Sequence, residues 1–592
     1  MKIRFGAIAT ALATSTTLVL STPAHAAIVA NPITHIAADS TITDIKPIGT
    51  HETGQFEQSA AEIVSFHAAS KRLMVVNAQS GAITVLDASN PAALTELHTV
   101  SAGAGTTVNS VAVREDGLAV AAVEPANKTD EGSVIFFDAA GSGEILGQLP
   151  VGSLPDMVTI SEDGKYALVA NEGEPADDYS VDPDGSVSVI TLPKTVATAT
   201  EVRTATFTAF EGNLPEGVRV FGPEGTDVQN LEPEYISTKD GKAYVTLQEN
   251  NAVAVIDIAT ATVEDILPLG TVDFSKVPFD FSDKDGKTEL RNAPVKGLRL
   301  PDSIGTYSAG GQTYFVTANE GDSRDWDGYS EEERVKKLDL AEDFAGLTAE
   351  QIAELQTEEN LGRLKVTTSL GKNDAGTFDE LYTFGGRGFS IFDTAGNLVF
   401  NSDDQFESIL KDIPGVLFNS DHTENEADGR SDDKGPEPEG LTIGKIGDRT
   451  YAFIGLERVS GIMVYDITDP TAAKFEAYIN NRDFTADTTT PAAGDLGPEG
   501  LTFIPAKDSP NGKPLLAVGN EVSGTTTVYE ITAPVADSGN GSSEGSSGSS
   551  AGSSTGGIFA AILAVLGVVG ALFQLPGLQQ QLMALLNKAM GR

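Results

Sequence analysis

Residues 155–190 read PDMVTISEDGKYALVANEGEPADDYSVDPDGSVSVI. A Pro-Asp pair opens a first short apolar segment, Tyr166–Ala170 follows an Asp-Gly turn, and Ser186–Ile190 follows an acidic loop. Short runs rich in Val, Ile and Tyr between Gly and Asp turns are typical of antiparallel strands. The stretch therefore predicts a unit of three short β-strands.

The same unit recurs along the chain, and repetition at this scale indicates a repeat architecture. The seven copies begin at Glu62, Ser110, Pro155, Pro233, Pro301, Pro438 and Pro498. They predict an all-β fold, a seven-bladed β-propeller over residues 55–532, because repeated short strands suit a radial array. An outer fourth strand is expected between copies, as at Leu94–Val100 and Val263–Leu267. A linear β-solenoid is the alternative, although its repeats are usually shorter and more uniform.

One copy is interrupted by an insertion at about residues 326–384, so its third strand is expected at Phe389–Asp393. The insertion is predicted to be partly helical, since its apolar residues fit short amphipathic helices over Leu338–Leu355. We expect it to cap one face of the propeller, as a structural element or as a lid.

The two ends of the chain predict export and anchoring. Residues 1–26 have the charged start, apolar centre and Ala-x-Ala end of a signal peptide, and residues 27–54 lead into the propeller. Residues 533–557 form a Ser/Gly-rich linker, and residues 558–575 form an uncharged apolar segment. That segment predicts a transmembrane anchor helix, with residues 576–592 as a tail on the cytoplasmic side. The alternative is an apolar helix that associates with the envelope surface.

Composition excludes several classes of function. The 39 Lys+Arg against 85 Asp+Glu give a formal net charge of −46, which argues against nucleic acid as a partner. With 0 Cys the chain has neither disulfides nor thiolate ligands, and 6 His leave little for a histidine-based zinc centre. A Ser/His/Asp triad, a Walker A motif and a dinucleotide fingerprint are also missing from the sequence.

Acidic residues recur at the same two positions of the repeat. In a propeller the loop before the innermost strand and the loop between the second and third strands open on one mouth of the channel. The acids at these positions are Glu124, Asp156, Glu172, Glu234, Glu249, Asp302, Glu320, Glu439, Glu457, Glu499 and Glu521. Crowding so many carboxylates raises their pKa values or requires cations. The alternative is that each acid braces a loop by accepting backbone hydrogen bonds.

Oxygen ligands without Cys select hard cations, so Ca²⁺ is the expected ion, with Mg²⁺ or Mn²⁺ as alternatives. Asn and Gln often precede the acids, and their side-chain carbonyls would suit Ca²⁺ as well. The predicted metal ligands are Glu172, Glu249, Glu320, Asp322, Glu439, Glu457, Glu499 and Glu521.

Three arginines lie in loops beside these acids: Arg324, Arg387 and Arg430. Metal ions together with arginine can hold a phosphoryl group while a metal-bound water attacks it. These arginines are therefore the candidate catalytic residues of a metal-dependent phosphoesterase. The alternative is that they neutralise the acids in ion pairs.

Several motifs resemble those of the choice-of-anchor I family. They are Glu62–Val64 with Leu73–Asn77 and Ile83–Pro91, Asn171–Pro175, Ala318–Asp327, Gly385–Asp393 and Asp432–Gly440. The resemblance implies an exported bacterial propeller, related to mesenchyme-specific cell-surface glycoproteins and described as alkaline phosphatase-like. Two functions are therefore expected: a surface-anchored, calcium-dependent phosphoesterase, or a non-catalytic calcium-binding protein for adhesion, capture of a cell-envelope ligand, or mineral interaction. A third expectation is a structural propeller whose acids serve only solubility.

Overall fold

The computed structural model describes residues 28–223 and 225–534. The predicted signal peptide (1–26), transmembrane segment (558–575) and tail (576–592) lie outside the described residues, as does the linker 533–557 beyond Pro534. Within the described part of the chain, no helix combines the length and apolar character needed to cross a membrane.

Seven antiparallel sheets, numbered here in chain order, make up most of the described chain. Sheet 1 contains Val64–His67, Arg72–Asn77, Ala82–Asp87 and Thr95–Ser101, and sheet 2 contains Thr106–Val113, Leu118–Pro125, Glu131–Asp138 and Ile145–Ser153. Sheet 3 contains Pro155–Ile160, Tyr166–Asn171, Ser186–Thr191 and Val202–Thr206, and sheet 4 contains Pro233–Lys239, Lys242–Leu247, Ala252–Asp257 and Thr262–Pro268. Sheet 5 contains Ile304–Ala309, Gln312–Ala318, Phe389–Asp393 and Leu398–Asn401. Sheet 6 contains Pro438–Ile446, Arg449–Leu456, Ile462–Asp466 and Lys474–Asn480, and sheet 7 contains Pro498–Ile504, Leu515–Asn520 and Thr525–Thr532.

The first strand of each sheet packs against the first strand of the next sheet, and sheet 7 packs against sheet 1 in the same way. The seven sheets therefore form a closed ring, and the fold is all-β and of propeller type. Apolar cores lie between neighbouring sheets, as where Leu73 and Val75 of sheet 1 meet Leu515 and Ala517 of sheet 7. Because both faces of each sheet are covered, the second strands are almost continuously apolar and buried.

Residues 27–54, predicted as a lead-in, contain two strands that are the outer strands of sheets 6 and 7. Asp44–Glu52 pairs with Thr525–Thr532 and completes sheet 7, so the beginning and end of the described chain share one sheet. Ile33–Ile36 pairs with Lys474–Asn480 and adds a fifth strand to sheet 6. The outer strands predicted at Leu94–Val100 and Val263–Leu267 are present in sheets 1 and 4.

The insertion in sheet 5 occupies residues 319–388, between its second and third strands. Its α-helix is Ala349–Leu355 (α1), capped by Thr348, and a second helix, Gln405–Leu410 (α2), follows sheet 5. The helical prediction over Leu338–Leu355 is confirmed only for α1 and a 3-10 turn, because Gly346 has a φ of 71° and ends that turn. Phe274 and Phe279 pack with Phe344 in a separate small core.

The remaining elements are short. The 3-10 turns are Thr208–Phe210, Val335–Lys337, Phe344–Gly346, Leu361–Arg363 and Pro491–Ala493. The remaining strands are Thr271–Asp273, Lys296–Leu298 and Tyr382–Thr383 in one small sheet, Asp325–Trp326 with Tyr329–Ser330, and Glu332–Arg334 with Lys365–Thr367.

Candidate functional site

The acids that begin the innermost strands lie in β-bulges. In sheet 3 Pro155 pairs with Asn171 and Val158 pairs with Val169, so Asp156 lies in a stretch with one residue more than the facing strand. The same register shift occurs at Glu234, Glu439 and Glu499. A bulge bends its strand and re-aims the side chain. The repeated bulge therefore presents a carboxylate at the same place in four sheets.

The second set of acids follows the second strands. In sheet 3 Glu172 comes directly after Asn171, which pairs with the first residue of the innermost strand. Both sets of acids therefore lie at the same end of their sheet. Glu457 and Glu521 likewise follow their strands directly, Glu249 and Glu320 come two residues after theirs, and Glu124 is the last residue but one of its strand.

These carboxylates, together with Glu62, form one cluster, which we call the acid ring. Burial raises the pKa of Glu499 well above its usual value. The nearby carboxylates of Glu62, just before sheet 1, and Glu521, in sheet 7, raise it further. Burial likewise raises the pKa of Glu234, with contributions from Glu249 and Glu172. Acids far apart in the sequence thus lie close enough to disfavour each other's charge.

Two groups of three carboxylates lie close enough to share one cation. The Asp302 group is Asp302, Glu320 and Glu439, and the Glu437 group is Glu320, Glu437 and Glu457. Within each group one oxygen from each residue lies within 4.8 Å of the others. Glu320 belongs to both groups, so the two positions are adjacent.

Basic side chains neutralise the Glu437 group. The Lys434 ammonium lies 3.2 Å from Glu320 Oε1 and 3.3 Å from Glu437 Oε2. Arg430 donates to Glu437 Oε1 at 2.6 Å, and Arg458 Nε donates to Glu437 Oε2 at 3.2 Å. Burial works to raise the pKa of Glu437, yet Lys434 and Arg430 hold it far below its usual range.

The Asp302 group has acids without partners. Asp302 and Glu439 make no ion pair with any described residue, and the buried Oε2 of Glu439 accepts no hydrogen bond from one. Burial and then Glu320 raise the pKa of Asp302 well above its usual value. Glu234 and Glu249, which are only 9% and 7% exposed, also carry a buried Oε2 without a donor. Such oxygens require protons or cations.

The three predicted catalytic arginines make different contacts. Arg387 is 2% exposed and donates to the carbonyl oxygens of Asp280, Ser431 and Asp433 and to Glu407 Oε1. Arg324 is also buried and pairs with Glu232 at 2.8 Å. Of the three, the structure brings Arg430 to the Glu437 group, whereas Arg324 and Arg387 connect loops.

The predicted ligands also separate into classes. Glu172, Glu249, Glu320, Glu439, Glu457, Glu499 and Glu521 belong to the acid ring, whereas Asp322 is exposed and lies 3.1 Å from Lys434 Nζ. The amides expected to assist them point elsewhere: Asn171 donates to Ser188 Oγ at 3.0 Å, and Asn319 donates to Ser390 Oγ at 2.9 Å. Gln248 alone of these donates to a ring acid, Glu320 Oε2, at 2.8 Å.

Lys434, Glu437 and Glu62 were not among the predicted site residues, although the mixture of acids and basic residues in the loop of Arg430 and Lys434 was apparent in the sequence. Glu437 precedes Glu439 by two residues in the Gly-Pro-Glu-Pro-Glu-Gly run, and Glu62 precedes the first strand of sheet 1 as Asp302 precedes that of sheet 5. The position before the strand was a usable signal for Glu62. No such positional signal exists for Lys434, because its loop is not part of the repeated unit.

The curated relatives include two animal proteins. Gigasin-3a of Magallana gigas is 31% identical over 194 residues, which are 31% of this chain and 68% of that protein. The mesenchyme-specific cell surface glycoprotein of Strongylocentrotus purpuratus is 28% identical over 282 residues, 42% of this chain and 36% of its own length. The match thus spans about a third of the second relative.

Solved structures with similar architecture include Kuenenia stuttgartiensis hydrazine synthase, at 13% identity and a TM-score of 0.40 over 81% of this chain and 97% of that one. The Swd1 propeller of Myceliophteria thermophila follows, at 7% identity and a TM-score of 0.38 over 80% of this chain and 97% of that one. The fold assignment rests on the sheet topology rather than on these likenesses. A sequence model described as the choice-of-anchor I domain matches residues 62–470, more than half of the chain. The chain belongs to the choice-of-anchor I family.

Proposed function

We propose that this chain is an exported surface protein whose acid ring binds a divalent cation, Ca²⁺, first at the Asp302 group. The supporting observation is that several ring carboxylates have a buried oxygen without a partner among the described residues, above all Oε2 of Glu439. Like charges at this spacing are stabilised by protons or by a cation. Three carboxylates within 4.8 Å of one another favour a cation.

The ligand chemistry favours Ca²⁺ over transition metals. The ligands are carboxylate oxygens, the chain has 0 Cys, and the ring's neighbouring histidine, His422, accepts from Arg458 at 3.0 Å. Ca²⁺ takes six to eight oxygens in flexible geometry, and water can complete the shell. Asp156, Glu439 and Glu499 are partly exposed ring acids, and we infer that the ion enters beside them. Mg²⁺ and Mn²⁺ are the alternatives.

Metal analysis of the purified protein followed by calcium titration tests this proposal. Asp302→Asn and Glu439→Gln are expected to weaken Ca²⁺ binding at least tenfold, because each removes a charged ligand that lacks another partner. The matched control is Glu342→Gln, which changes an exposed glutamate outside the ring. Equal affinity of both ring variants and the control would show that the Asp302 group is not the site.

Two activities fit a calcium-loaded ring, and we place non-catalytic binding first: adhesion, capture of an envelope ligand, or contact with mineral. The relatives of this chain include a protein named as a cell surface glycoprotein, which supports a surface location. Arg324 and Arg387 are engaged within the protein, which leaves few donors for a phosphate.

Phosphoester hydrolysis is the second candidate. The observation in its favour is that Arg430 and Arg458, with side chains 19% and 24% exposed, lie beside the Glu437 group. Turnover of p-nitrophenyl phosphate that requires Ca²⁺ and is lost in Arg430→Lys, with folding retained, would establish it. If the protein binds calcium and shows no turnover, non-catalytic binding remains the proposed function.

We also infer that the seven sheets are the blades of a seven-bladed propeller and that residues 558–575 anchor it to the membrane. Fractionation of cells that express the chain with and without residues 558–592 tests the anchor. Release of the truncated protein supports it, whereas retention of both forms contradicts it.

A further inference from the structure

The loop that carries Lys434 is held rigidly beside the acid ring. Arg387 donates to the carbonyl oxygens of Ser431 at 2.8 Å and Asp433 at 2.7 Å, on the N-terminal side of Lys434. On its other side Gly435 has a φ of 74° and donates its N–H to Arg430 O at 3.0 Å. Hydrogen bonds therefore fix the backbone on both sides of Lys434, and the fixed backbone holds the ammonium beside the acid ring.

The ammonium lies between two of the three carboxylates of the Glu437 group, Glu320 and Glu437. Lys434 Nζ lies 3.2 Å from Glu320 Oε1, 3.3 Å from Glu437 Oε2 and 3.1 Å from Asp322 Oδ1. Its side chain is 9% exposed. With Arg430 and Arg458 it brings three positive charges to the three carboxylates of the group. Three cations thus already contact the Glu437 group, and Lys434 and Arg430 also pair with Asp322 and Asp433 outside it.

Glu320 belongs to both groups and so connects the Glu437 group to the Asp302 group. Its Oε1 faces Lys434 and its Oε2 accepts from Gln248 at 2.8 Å, while the residue also belongs to the Asp302 group. A cation that binds at the Asp302 group must share Glu320 with the ammonium.

We propose that Lys434 is a tethered counter-ion that competes with the divalent cation for Glu320, keeps the Glu437 group closed to metal, and sets the affinity of the ring. The inference rests on the proposed cation site and names the residue that tunes it. A Ca²⁺ ion about 2.4 Å from Glu320 would lie about 6 Å from the ammonium. Repulsion between a double and a single charge at that distance, even at the dielectric constant of water, lowers affinity about tenfold.

The experiment compares calcium titrations of the full chain and its Lys434→Met and Lys434→Arg variants. Lys434→Met is expected to bind Ca²⁺ at least tenfold more tightly than the unchanged protein. Lys434→Arg, which keeps the charge, is expected to bind within about threefold of it. Melting temperatures of the metal-free proteins report folding, and Lys434→Gln replaces Lys434→Met if the latter does not fold.

Equal or weaker binding by a folded Lys434→Met or Lys434→Gln protein would overturn the inference. Tight binding by Lys434→Arg, equal to that of Lys434→Met, would overturn it too, because the charge would then be irrelevant. Failure of the proposed function is distinguishable. If the unchanged protein takes up no Ca²⁺ but Lys434→Met does, the cation site of the natural chain fails while the role of Lys434 stands. If neither binds, both fail.

Discussion

Raising the pH of the metal-free protein from 6.5 to 8 is expected to lower its free energy of unfolding. Burial and then Glu174 raise the pKa of Asp156 from 3.8 to about 7. The folded protein therefore holds this proton over a pH range in which the unfolded chain has lost it. Stability that the proton supplies is complete near pH 3.8 and disappears as the pH rises through 7.

The magnitude follows from the shifts. Asp156 alone accounts for a fall of about 1 kcal/mol between pH 6.5 and 8, since most of its proton is lost there. A ring acid whose pKa lies well above its usual value keeps its proton in the folded protein after the unfolded chain has lost it, so it deepens the fall. Acids of that kind are Glu62, Glu172, Glu234, Glu249, Asp302, Glu439, Glu457 and Glu499. Because they interact, their protons leave in shared steps, and we expect a fall larger than the one that Asp156 alone supplies.

Two acids outside the ring titrate in the same window with the same sign, because burial raises the pKa of Glu232 and that of Asp428 to about 7. Groups with a lowered pKa act at lower pH. Burial and Arg458 lower the pKa of His422 from 6.5 to about 4, so its stabilising effect grows between pH 4 and 6.5 and is largely complete above that. The lowered pKa of Glu437 acts only below its usual value of 4.5. A melting entropy near 1 kcal/mol per kelvin for about 500 residues converts the contribution of about 1 kcal/mol from Asp156 into about 1 °C, which is the smallest shift expected.

Urea unfolding and scanning calorimetry at pH 6.5 and 8, each with EDTA and with saturating Ca²⁺, provide the assay. At a hundredfold excess over its dissociation constant Ca²⁺ adds about 2.7 kcal/mol, and its effect should be larger at pH 8, where the ligands are deprotonated. Glu234→Gln should reduce the pH dependence in EDTA, whereas Glu342→Gln should not. A metal-free stability that is constant or rises from pH 6.5 to 8 would refute the reasoning, as would an identical slope with Ca²⁺.

Three further predictions concern the scaffold and are measured by urea unfolding of the metal-free protein. Arg387→Met should cost about 3–5 kcal/mol, because Glu407 and three carbonyl oxygens lose a buried donor; a change under 1 kcal/mol would contradict this. Gly440→Ala should lower the free energy of unfolding by at least about 1–3 kcal/mol, because the new Cβ would lie 1.7 Å from a carbonyl oxygen of sheet 7. The control Gly429→Ala, whose Cβ would have no atom nearer than 3.8 Å, should leave stability unchanged. Removing residues 28–52 should lower the urea concentration at the midpoint of unfolding, because the deletion removes the outer strand of sheet 7. An unchanged urea midpoint would show that this strand does not stabilise the ring.

The acid ring could be predicted because its signal is local. Each acid occupies a definite position relative to a short apolar strand, and strands have a period of two that the sequence displays directly. Asp156 and Glu172 are therefore placed by counting from Pro155 and Asn171. The bulge that turns Asp156 out of its strand is not visible in that pattern, since it depends on the register with the facing strand.

The neutralised half of the site could not be predicted in the same way. Lys434 and Glu320 are separated by 114 positions, and the Lys434 loop is not part of the repeat, so nothing local indicates their contact. Arginine near acids suggested phosphate binding, but Arg387 is directed at carbonyl oxygens instead. The outer strand Asp44–Glu52 was missed for a related reason, because its partner lies at the other end of the described chain.

The two halves of the ring imply opposite responses to substitution. The repeated strands contribute acids, as at Asp302 and Glu439, whereas the irregular loops contribute the cations Lys434, Arg430 and Arg458. If the loops only braced the fold, a neutral residue at Lys434 would lower stability and leave calcium affinity unchanged. If they set how much negative charge is left for an ion, Lys434→Met must tighten calcium binding while Asp302→Asn weakens it. Opposite signs from two neighbours of the same carboxylate, Glu320, are not expected from a bracing role, and so the pair of titrations separates the two explanations.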